Sequence, residues 1–348
     1  MSKKKVGIAM SGGVDSTATA ILLAKDYEVH GFFMELAQPD LTRQKKEVQA
    51  IADRLNIPLN FIDLEKEFTA RVLDYFSATY HHGRTPNPCM VCNREIKFGL
   101  FMDAIFSRDM DYMATGHYAR IDHSRPVARL LRGKDDRKDQ SYFLARLDHS
   151  RLARLLFPLG EMTKEEVYLF VEECGFDHFR GRESQDVCFL TDTQVGDYLE
   201  RLPDGRRMTA GDIVDMAGNR LGNHKGLPRY TIGQRKGLGI SDTSPWYVVD
   251  LDVDLNRVIV GKPQDLERKS LVIRNCFHMT EEGLKADYPY QVKIRYRHQS
   301  QKATVEPIED RGYRIYFEVP QRAVTPGQFA VIYDDDQVMA SGEIVREP

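Results

Sequence analysis

Two short stretches combine residue types and spacings that suit phosphate and sulfur chemistry. The first, "SGGVDS", covers residues 11–16, between an apolar run and a helical pattern. Its two glycines let backbone N–H groups approach a ligand, and the start of the following helix carries partial positive charge. The loop lacks the lysine of the G-x-x-x-x-G-K-[ST] loop, which grips terminal phosphates for phosphoryl transfer. We interpret it as a cradle for a departing pyrophosphate, with Asp15 placed to recruit magnesium; the plain alternative is a capped strand-to-helix turn.

The second stretch, "TPNPCMVCNREIKFG", carries two cysteines behind a proline-stiffened loop. We predict Asn93 as the N-cap of the following helix. Cys92 then lies at a helix start, where a thiolate is stabilised and its pKa lowered. Cys188 lies far away in sequence, in "RESQDVCFL". The other two cysteines, Cys174 and Cys276, are expected to be small buried apolar residues. Five scattered cysteines in a chain of 348 residues do not suit a disulfide framework.

Apolar runs alternate with amphipathic stretches in the first part of the chain. The predicted strands are residues 4–10, 28–36, 57–64 and part of 110–120, and the predicted helices are 16–27 and 40–56, with Asp40 as an N-cap. This alternation predicts an α/β fold with a doubly wound parallel sheet. Ligands of such sheets bind at the carboxyl ends of the strands, which is where residues 11–16 and 116–118 fall.

The pattern changes after about residue 195, where glycines and short apolar runs dominate. From about residue 265 the apolar residues approach a period of two, with turn signals between short strands, which predicts a small antiparallel β-barrel. We therefore predict three domains: a catalytic α/β domain over residues 1–195, a small central linker domain over 196–263, and a C-terminal β-barrel over 264–348.

The charge balance gives no bulk attraction for nucleic acid. Lys and Arg number 49 and Asp and Glu number 52, so the formal net charge is −3. Binding to nucleic acid would therefore depend on local basic and aromatic patches, such as "RYRHQSQK" and "RYTIGQRK". No window reaches the ~18 apolar residues of a membrane span, and the apolar run near the start is too short for a signal peptide. We expect a cytoplasmic protein with no membrane partner.

Residues 11–16 resemble the S-G-G-x-D-S loop of the ATP pyrophosphatase superfamily, whose members cleave ATP between the α and β phosphates and adenylate a carbonyl oxygen. Several branches of that superfamily share this loop. Six motifs in a fixed order are more specific: "SGGVDS", "TPNPCMVCNREIKFG", "ATGHYAR", "KDQSYFL", "FPLG" and "YTIGQRKGLGI". Together they resemble the bacterial tRNA-specific 2-thiouridylase family over essentially the whole chain.

That resemblance implies ATP-dependent thiolation of the wobble uridine of tRNA, with Cys92 as nucleophile, Cys188 as persulfide carrier and a transient disulfide between them. The implied ATP-binding residues are Ala9, Met10, Ser11, Gly12, Gly13, Val14, Asp15, Ser16, Met34 and Gly116. The implied contacts to the target base and tRNA are Asn87, Pro88, Cys89, His117, Lys138, Asp139, Gln140, Arg295, Tyr296 and Gln328. ATP and Mg²⁺ are implied as cofactors, tRNA as a partner, and a persulfide relay protein, a cysteine desulfurase or inorganic sulfide as the sulfur donor.

One position departs from the family pattern, because well-known members carry an aspartate where this chain has Cys89. Cys89 and Cys92 form a C-x-x-C pair, and Cys188 would supply a third ligand for a [4Fe–4S] cluster with an open iron. Zinc is the alternative metal, although a fourth ligand is not evident. Two other functions also stay open: another adenylating enzyme, such as an amidating synthetase, and a non-catalytic module that binds ATP or tRNA.

Overall fold

A computed structural model describes residues 3–176, 179–180, 187–190, 195–201 and 208–347. The α-helices of these residues are α1 (Val14–Leu23), α2 (Leu41–Leu55), α3 (Glu65–Phe68), α4 (Asp74–His81), α5 (Pro88–Cys92), α6 (Met102–Phe106), α7 (Ser141–Leu144), α8 (His149–Leu152), α9 (Lys164–Glu173) and α10 (Val195–Glu200). Two π-helical stretches, Thr69–Leu73 and Asn93–Phe101, join α3 to α4 and α5 to α6.

The strands outnumber the helices and form three sheets. They are β1 (Lys5–Ala9), β2 (Glu28–Glu35), β3 (Leu59–Asp63), β4 (Tyr112–Ala114), β5 (Ala119–Asp122), β6 (Arg129–Arg132), β7 (Leu155–Leu156), β8 (Gly211–Asp215), β9 (Arg220–His224), β10 (Tyr247–Asp252), β11 (Arg257–Gly261), β12 (Glu267–His278), β13 (Tyr290–Lys293), β14 (Gln301–Ile308), β15 (Gly312–Arg322), β16 (Phe329–Asp334) and β17 (Gln337–Val345).

The first sheet is parallel, with the strand order β3-β2-β1-β4-β7. Its central strand β1 is almost fully apolar, and Val6 and Ile8 are completely buried between the layers of helices. The strand order reverses between β1 and β4, which creates the crevice where such sheets bind ligands. The glycine loop follows β1 and Gly116 follows β4, so the predicted α/β sheet is confirmed and both segments lie at this crevice.

The amphipathic helix predicted over residues 40–56 is confirmed as α2, which buries Val48, Ile51 and Ala52. Asp40 precedes it as predicted, but its backbone is left-handed with φ 56° and its side chain makes no capping hydrogen bond. One prediction for α9 is wrong. Cys174 was expected to be buried, yet it follows the last turn of this helix and is exposed.

The C-terminal strands form the predicted antiparallel barrel. Six strands follow one another in the order β12-β15-β14-β13-β16-β17, and pairing between β12 and β17 closes the ring. The hairpin β5–β6 extends this sheet through contact with β17, so the catalytic region and the barrel share a sheet edge. Cys276 lies half-buried on β12.

A smaller sheet, with the order β10-β11-β8-β9, lies between the other two along the chain and includes one parallel pair, β11–β8. The domain boundaries at 195/196 and 263/264 stay predictions, and their outer ends at 1 and 348 fall outside the described residues. None of the helices in the described part of the chain has the length and apolar content that crossing a bilayer requires.

Candidate active site

A cavity of about 420 Å³ opens at the carboxyl ends of β1, β2 and β4. It brings together segments that are far apart in sequence, namely the glycine loop, the cysteine helix and the loop that carries Cys188. The predicted site residues that line it are Ala9, Met10, Ser11, Asp15, Ser16, Met34, Pro88, Cys89, Cys92, Gly116, His117, Gln140 and Cys188. The phosphate loop and the sulfur-bearing side chains therefore share one chamber.

The glycine loop has the backbone shape expected of an anion cradle. Gly12 adopts φ 79°, a left-handed conformation that favours glycine. The hydroxyl of Ser16 donates to the carbonyl of Gly13 at 3.0 Å and accepts from the N–H of Ser11 at 3.2 Å, which closes the loop on itself. Because the first helical hydrogen bond runs from Thr17 N to Gly13 O, the preceding N–H groups lack helical acceptors and are available to a phosphate.

Gly116 lets the loop after β4 touch the glycine loop. A Cβ at this position would lie 2.7 Å from the Cβ of Asp15 and 2.8 Å from its carbonyl carbon, closer than such atoms pack. Position 116 therefore requires glycine, because any side chain there would clash with Asp15. The place of Gly116 beside Asp15 supports the prediction that it lies against the nucleotide.

Two protein groups hold the carboxylate of Asp15. Its Oδ1 and Oδ2 accept from Lys164 Nζ at 2.7 and 2.9 Å, and Oδ1 also accepts from the hydroxyl of Tyr118 at 2.7 Å. Burial and the Asp15 charge raise the pKa of Tyr118, so its hydroxyl stays a donor. A magnesium ion at Asp15 would have to share this carboxylate with Lys164 or displace it, so Lys164 competes for the predicted magnesium ligand.

Met34 is the penultimate residue of β2, is half-buried and lines the cavity. Its contact with the base of ATP stays a prediction. Its backbone carbonyl accepts from the side-chain amide of Gln38 at 3.1 Å. Gln38 and Gln44 line the same edge. Sequence reasoning missed both glutamines because single polar residues in a loop and a helix carry no motif.

The cysteine helix begins six residues earlier than predicted. Asn87, not Asn93, is the N-cap: its side-chain oxygen accepts from Met90 N at 3.1 Å, and Pro88 occupies the first turn. Cys92 therefore lies inside a continuous helix, and the prediction that it begins one is wrong. Asn93 is buried and its amide donates to the carbonyl of Phe143 at 3.2 Å. The sequence around Asn93 resembles a helix start, but the helix begins at the earlier Asn87, which is followed by Pro88.

The predicted low pKa of Cys92 is also wrong. Burial raises the pKa of this thiol to about 12, while the charge of Lys97 acts in the opposite direction. Cys188 as a whole residue is exposed, but it lines the cavity. Desolvation of its thiol raises the pKa of Cys188. The structure describes all five cysteines, and none of them forms a disulfide.

The metal prediction rests on Cys89, Cys92 and Cys188, which line the same cavity. Within the described residues, however, no group of three or more His, Cys, Asp or Glu side chains is arranged to hold a metal ion. The described residues therefore form no ready-made cluster site, and the cluster stays a prediction.

His117 lies deep in the cavity wall rather than on a surface. Its Nδ1 is 2.6 Å from the hydroxyl of Thr115, and its ring contacts Phe98 and Phe157. Burial lowers the pKa of His117 well below its usual range, so the ring is neutral. Gln140 also lines the cavity, and its side-chain oxygen accepts from Tyr118 N at 3.0 Å.

Several predicted contacts to tRNA lie outside the cavity: Asn87, Lys138, Asp139, Arg295, Tyr296 and Gln328. Asp139 is buried and its Oδ1 accepts from the N–H groups of Gly133 and Ser141. Tyr296 lies past the end of β13 and packs on Phe143 with ring centroids 4.4 Å apart. Arg295 is exposed beside it. Contact of these residues with tRNA stays a prediction.

Gln328 braces the loop ahead of the cysteine helix. Its side-chain amide donates to the backbone carbonyls of Thr85 and Pro86 at 3.2 and 2.8 Å. The barrel thus supports the loop that leads to Cys89 and Cys92, which gives Gln328 a structural role that its sequence context did not indicate.

A parallel sheet of this order, a glycine loop at its reversal point and thiols in the same cavity define a nucleotide-binding α/β protein of the ATP pyrophosphatase class. Family models match in three parts: a tRNA methyl transferase HUP domain at residues 4–192, a tRNA methyl transferase PRC-barrel domain at 199–262, and an aminomethyltransferase beta-barrel domain at 268–344.

Full-length relatives give the more particular identification. A "tRNA-specific 2-thiouridylase MnmA" of Desulfotalea psychrophila is 50% identical over 345 residues, which cover 99% of this chain and 100% of that protein. A "tRNA-specific 2-thiouridylase MnmA 2" of Clostridium botulinum is 38% identical, and a "tRNA-specific 2-thiouridylase MnmA" of Clostridium perfringens is 39% identical, each over 99% of both chains. The chain belongs to the tRNA-specific 2-thiouridylase family.

Proposed function

We propose that this protein replaces the C2 oxygen of the wobble uridine of tRNA with sulfur at the expense of ATP. The observation that carries the proposal is that Cys92 and Cys188 line the same cavity as the glycine loop. Activation of a carbonyl oxygen by ATP and attack by sulfur on the same carbon require this proximity. The full-length relatives named 2-thiouridylases support it.

The reaction balances with the groups in the cavity. The uridine O2 attacks the α phosphate of ATP and displaces pyrophosphate. The N–H groups at the start of α1 bind the pyrophosphate as it leaves. The terminal sulfur of a persulfide on Cys188 bonds to C2, and the oxygen leaves with AMP. The Cys92 thiolate bonds to the inner sulfur of Cys188 and breaks the persulfide bond. The two thiols are oxidised to a disulfide while the transferred sulfur is reduced, so a dithiol or monothiol reductant must restore them.

Magnesium enters this scheme with ATP, without an assigned ligand in the chain, because Asp15 is paired with Lys164. The sulfur donor, the iron–sulfur alternative and a cytoplasmic location stay predictions. The tRNA methyl transferase wording of two family models names a second reaction, methyl transfer. We prefer thiolation because two thiols in a phosphate-binding cavity suit sulfur transfer, and the experiment below separates the two products.

The test incubates the protein with unmodified tRNA, ATP, magnesium, a reductant and sulfide or a persulfide donor, under air and anaerobically. Digestion and mass spectrometry of the nucleosides then distinguish exchange of oxygen for sulfur from addition of a methyl group. We expect 2-thiouridine, AMP and pyrophosphate in equal amounts. Absence of 2-thiouridine under both atmospheres would refute the proposal. Iron analysis of the anaerobic sample decides the cluster alternative.

Matched variants test the roles of the two thiols. Cys92→Ser and Cys188→Ser should abolish thiolation while ATP binding persists, because neither thiol lies in the glycine loop. Cys174→Ser and Cys276→Ser are the controls, since Cys174 is exposed on the far end of α9 and Cys276 lies in the barrel. A module that only binds ATP or tRNA would be unaffected by all four changes. An amidating enzyme would form no thiolated product at all.

A further inference from the structure

Lys97 places a positive charge in the thiol-lined cavity. It follows Cys92 by five residues, which in an ordinary α-helix would turn the two side chains apart by about 140°. Here, however, Asn93–Phe101 is π-helical, and its hydrogen bonds join residues five apart. The change of helical pitch therefore brings Lys97 onto the face that carries Cys92, and both line the cavity.

Lys97 is half-buried, and within the described part of the chain it makes no hydrogen bond or ion pair with a protein group. Other partly buried lysines are paired: Lys164 with Asp15 at 2.7 Å and Lys45 with Glu35 at 2.8 Å. Much of the wall around Lys97 is apolar, with Phe68, Phe101, Phe143 and Phe189 among its lining side chains. An ammonium group in such a wall is stabilised when an anion joins it there.

The titratable groups that line the cavity with Lys97 are Asp15, Cys89, Cys92, His117 and Cys188. Asp15 is neutralised by Lys164, and His117 is neutral. The charge of Lys97 lowers the pKa of both Cys92 and Cys188, against the larger effect of burial. The sulfur atoms are therefore the groups that become anionic within reach of Lys97 during sulfur transfer.

We propose that Lys97 is the counter-charge for anionic sulfur in this cavity: it stabilises the terminal sulfur of the Cys188 persulfide and the thiolate that Cys92 forms during sulfur transfer. This inference rests on the sulfur-transfer role given to the two cysteines above. It assigns Lys97 an electrostatic role through those sulfur atoms, separate from phosphate binding at the glycine loop.

The test measures thiol reactivity in the full-length protein, without tRNA or ATP. The wild type, Lys97→Met and Lys97→Arg are treated with iodoacetamide, a neutral alkylating agent, from pH 7 to 9, and mass spectrometry follows each cysteine-containing peptide. Lys97→Met should slow alkylation of Cys92 and Cys188 by about tenfold, since one pKa unit changes the thiolate fraction tenfold. Lys97→Arg should keep the rates near the wild-type values.

Cys174 and Cys276 in the same samples serve as internal controls and should react at unchanged rates. An equal change at all four cysteines would indicate altered folding and overturn the proposal, as would unchanged rates at Cys92 and Cys188. Weaker binding of an ATP analogue to Lys97→Met with normal thiol reactivity would also overturn it, because Lys97 would then be a phosphate ligand.

The pH dependence of thiolation gives a second readout that a structural role would not move. Lys97→Met should lose activity at neutral pH and recover part of it as the pH rises and the thiols ionise without the lysine. The alkylation result does not depend on tRNA chemistry. If Cys92→Ser and Cys188→Ser both kept full thiolation activity, the proposed function would fail even where Lys97 altered thiol reactivity.

Discussion

The ion pair between Lys164 and Asp15 predicts that removing the lysine lowers both the stability of the fold and the affinity for ATP. The Lys164 side chain is 14% exposed and that of Asp15 is 32% exposed, so the pair is shielded from solvent on the lysine side. Lys164→Met removes two charge-assisted hydrogen bonds, of 2.7 and 2.9 Å, and leaves the carboxylate with the Tyr118 hydroxyl. Exposed ion pairs contribute roughly 0–1 kcal/mol and fully buried ones cost roughly 3–5 kcal/mol when broken, so we expect a loss of about 1–3 kcal/mol.

A double-mutant cycle isolates the pair. Asp15→Asn in the Lys164→Met background should cost less than Asp15→Asn alone, with a coupling energy of about 1–2 kcal/mol. The second substitution has the opposite effect on ATP binding. Lys164→Met leaves an unneutralised carboxylate beside the phosphates and should weaken ATP binding by about tenfold. Adding Asp15→Asn removes that charge and should restore part of the lost affinity. Lys164 thus neutralises the negative charge of Asp15 in the glycine loop.

Urea unfolding is best followed by far-ultraviolet circular dichroism, because the one tryptophan, Trp246, packs in the central region and not in the catalytic sheet. Titration calorimetry with a non-hydrolysable ATP analogue measures binding. Lys134→Met is the matched control, since Lys134 pairs with Glu166 at 3.4 Å on the surface and should leave both quantities unchanged. Additive stability losses, with coupling under about 0.5 kcal/mol, would refute the reasoning.

Three further predictions follow from individual contacts. Gly116→Ala should destabilise the fold by about 1–3 kcal/mol and weaken ATP binding, because its Cβ would lie 2.7 Å from that of Asp15, whereas Gly13→Ala meets nothing closer than 3.5 Å and should keep the wild-type melting temperature in calorimetry. Gln328→Leu removes two hydrogen bonds and should speed proteolytic cleavage of the loop at residues 83–88 and slow thiolation, with unchanged ATP affinity in titration calorimetry. Burial lowers the pKa of His298 to about 4 from its usual 6.5, so the native state should lose stability as pH falls from 6.5 towards 4; in melting curves measured against pH, His298→Gln should lack that loss, and an unchanged slope would contradict the assignment.

The sequence alone was sufficient to predict elements whose structure depends on a single short stretch of chain. The glycine loop and α2 could be predicted because turn chemistry and hydrophobic periodicity act within about fifteen residues. The barrel could be predicted as a class, but its closure by β12 and β17 and its extension by β5–β6 depend on pairings between distant strands. The partners of Asp15 were missed for the same reason, since Lys164 lies 149 residues away.

The failed prediction for Cys92 shows which effect dominates in this site. A helix N-terminus stabilises a nearby charge by roughly 0.3–1 kcal/mol, and by about 2 kcal/mol in favourable partly buried geometry. Burial raises the Cys92 pKa from 9.0 to about 12, three units, which corresponds to about 4 kcal/mol against the thiolate. Even the predicted helix start would therefore have left Cys92 protonated at neutral pH.

A protonated Cys92 is compatible with a persulfide in the same cavity, and a thiolate is not. A Cys92 thiolate would attack the inner sulfur of the Cys188 persulfide, form the disulfide and release sulfide before any uridine was activated. Because the thiolate is the nucleophile, the high pKa of Cys92 suppresses this loss while the cavity holds no tRNA. Sulfur transfer then requires that the pKa of Cys92 fall once the target base enters. Among the described residues, Lys97 is the lysine that lines the cavity together with both thiols, and its charge can favour that ionisation when water is excluded.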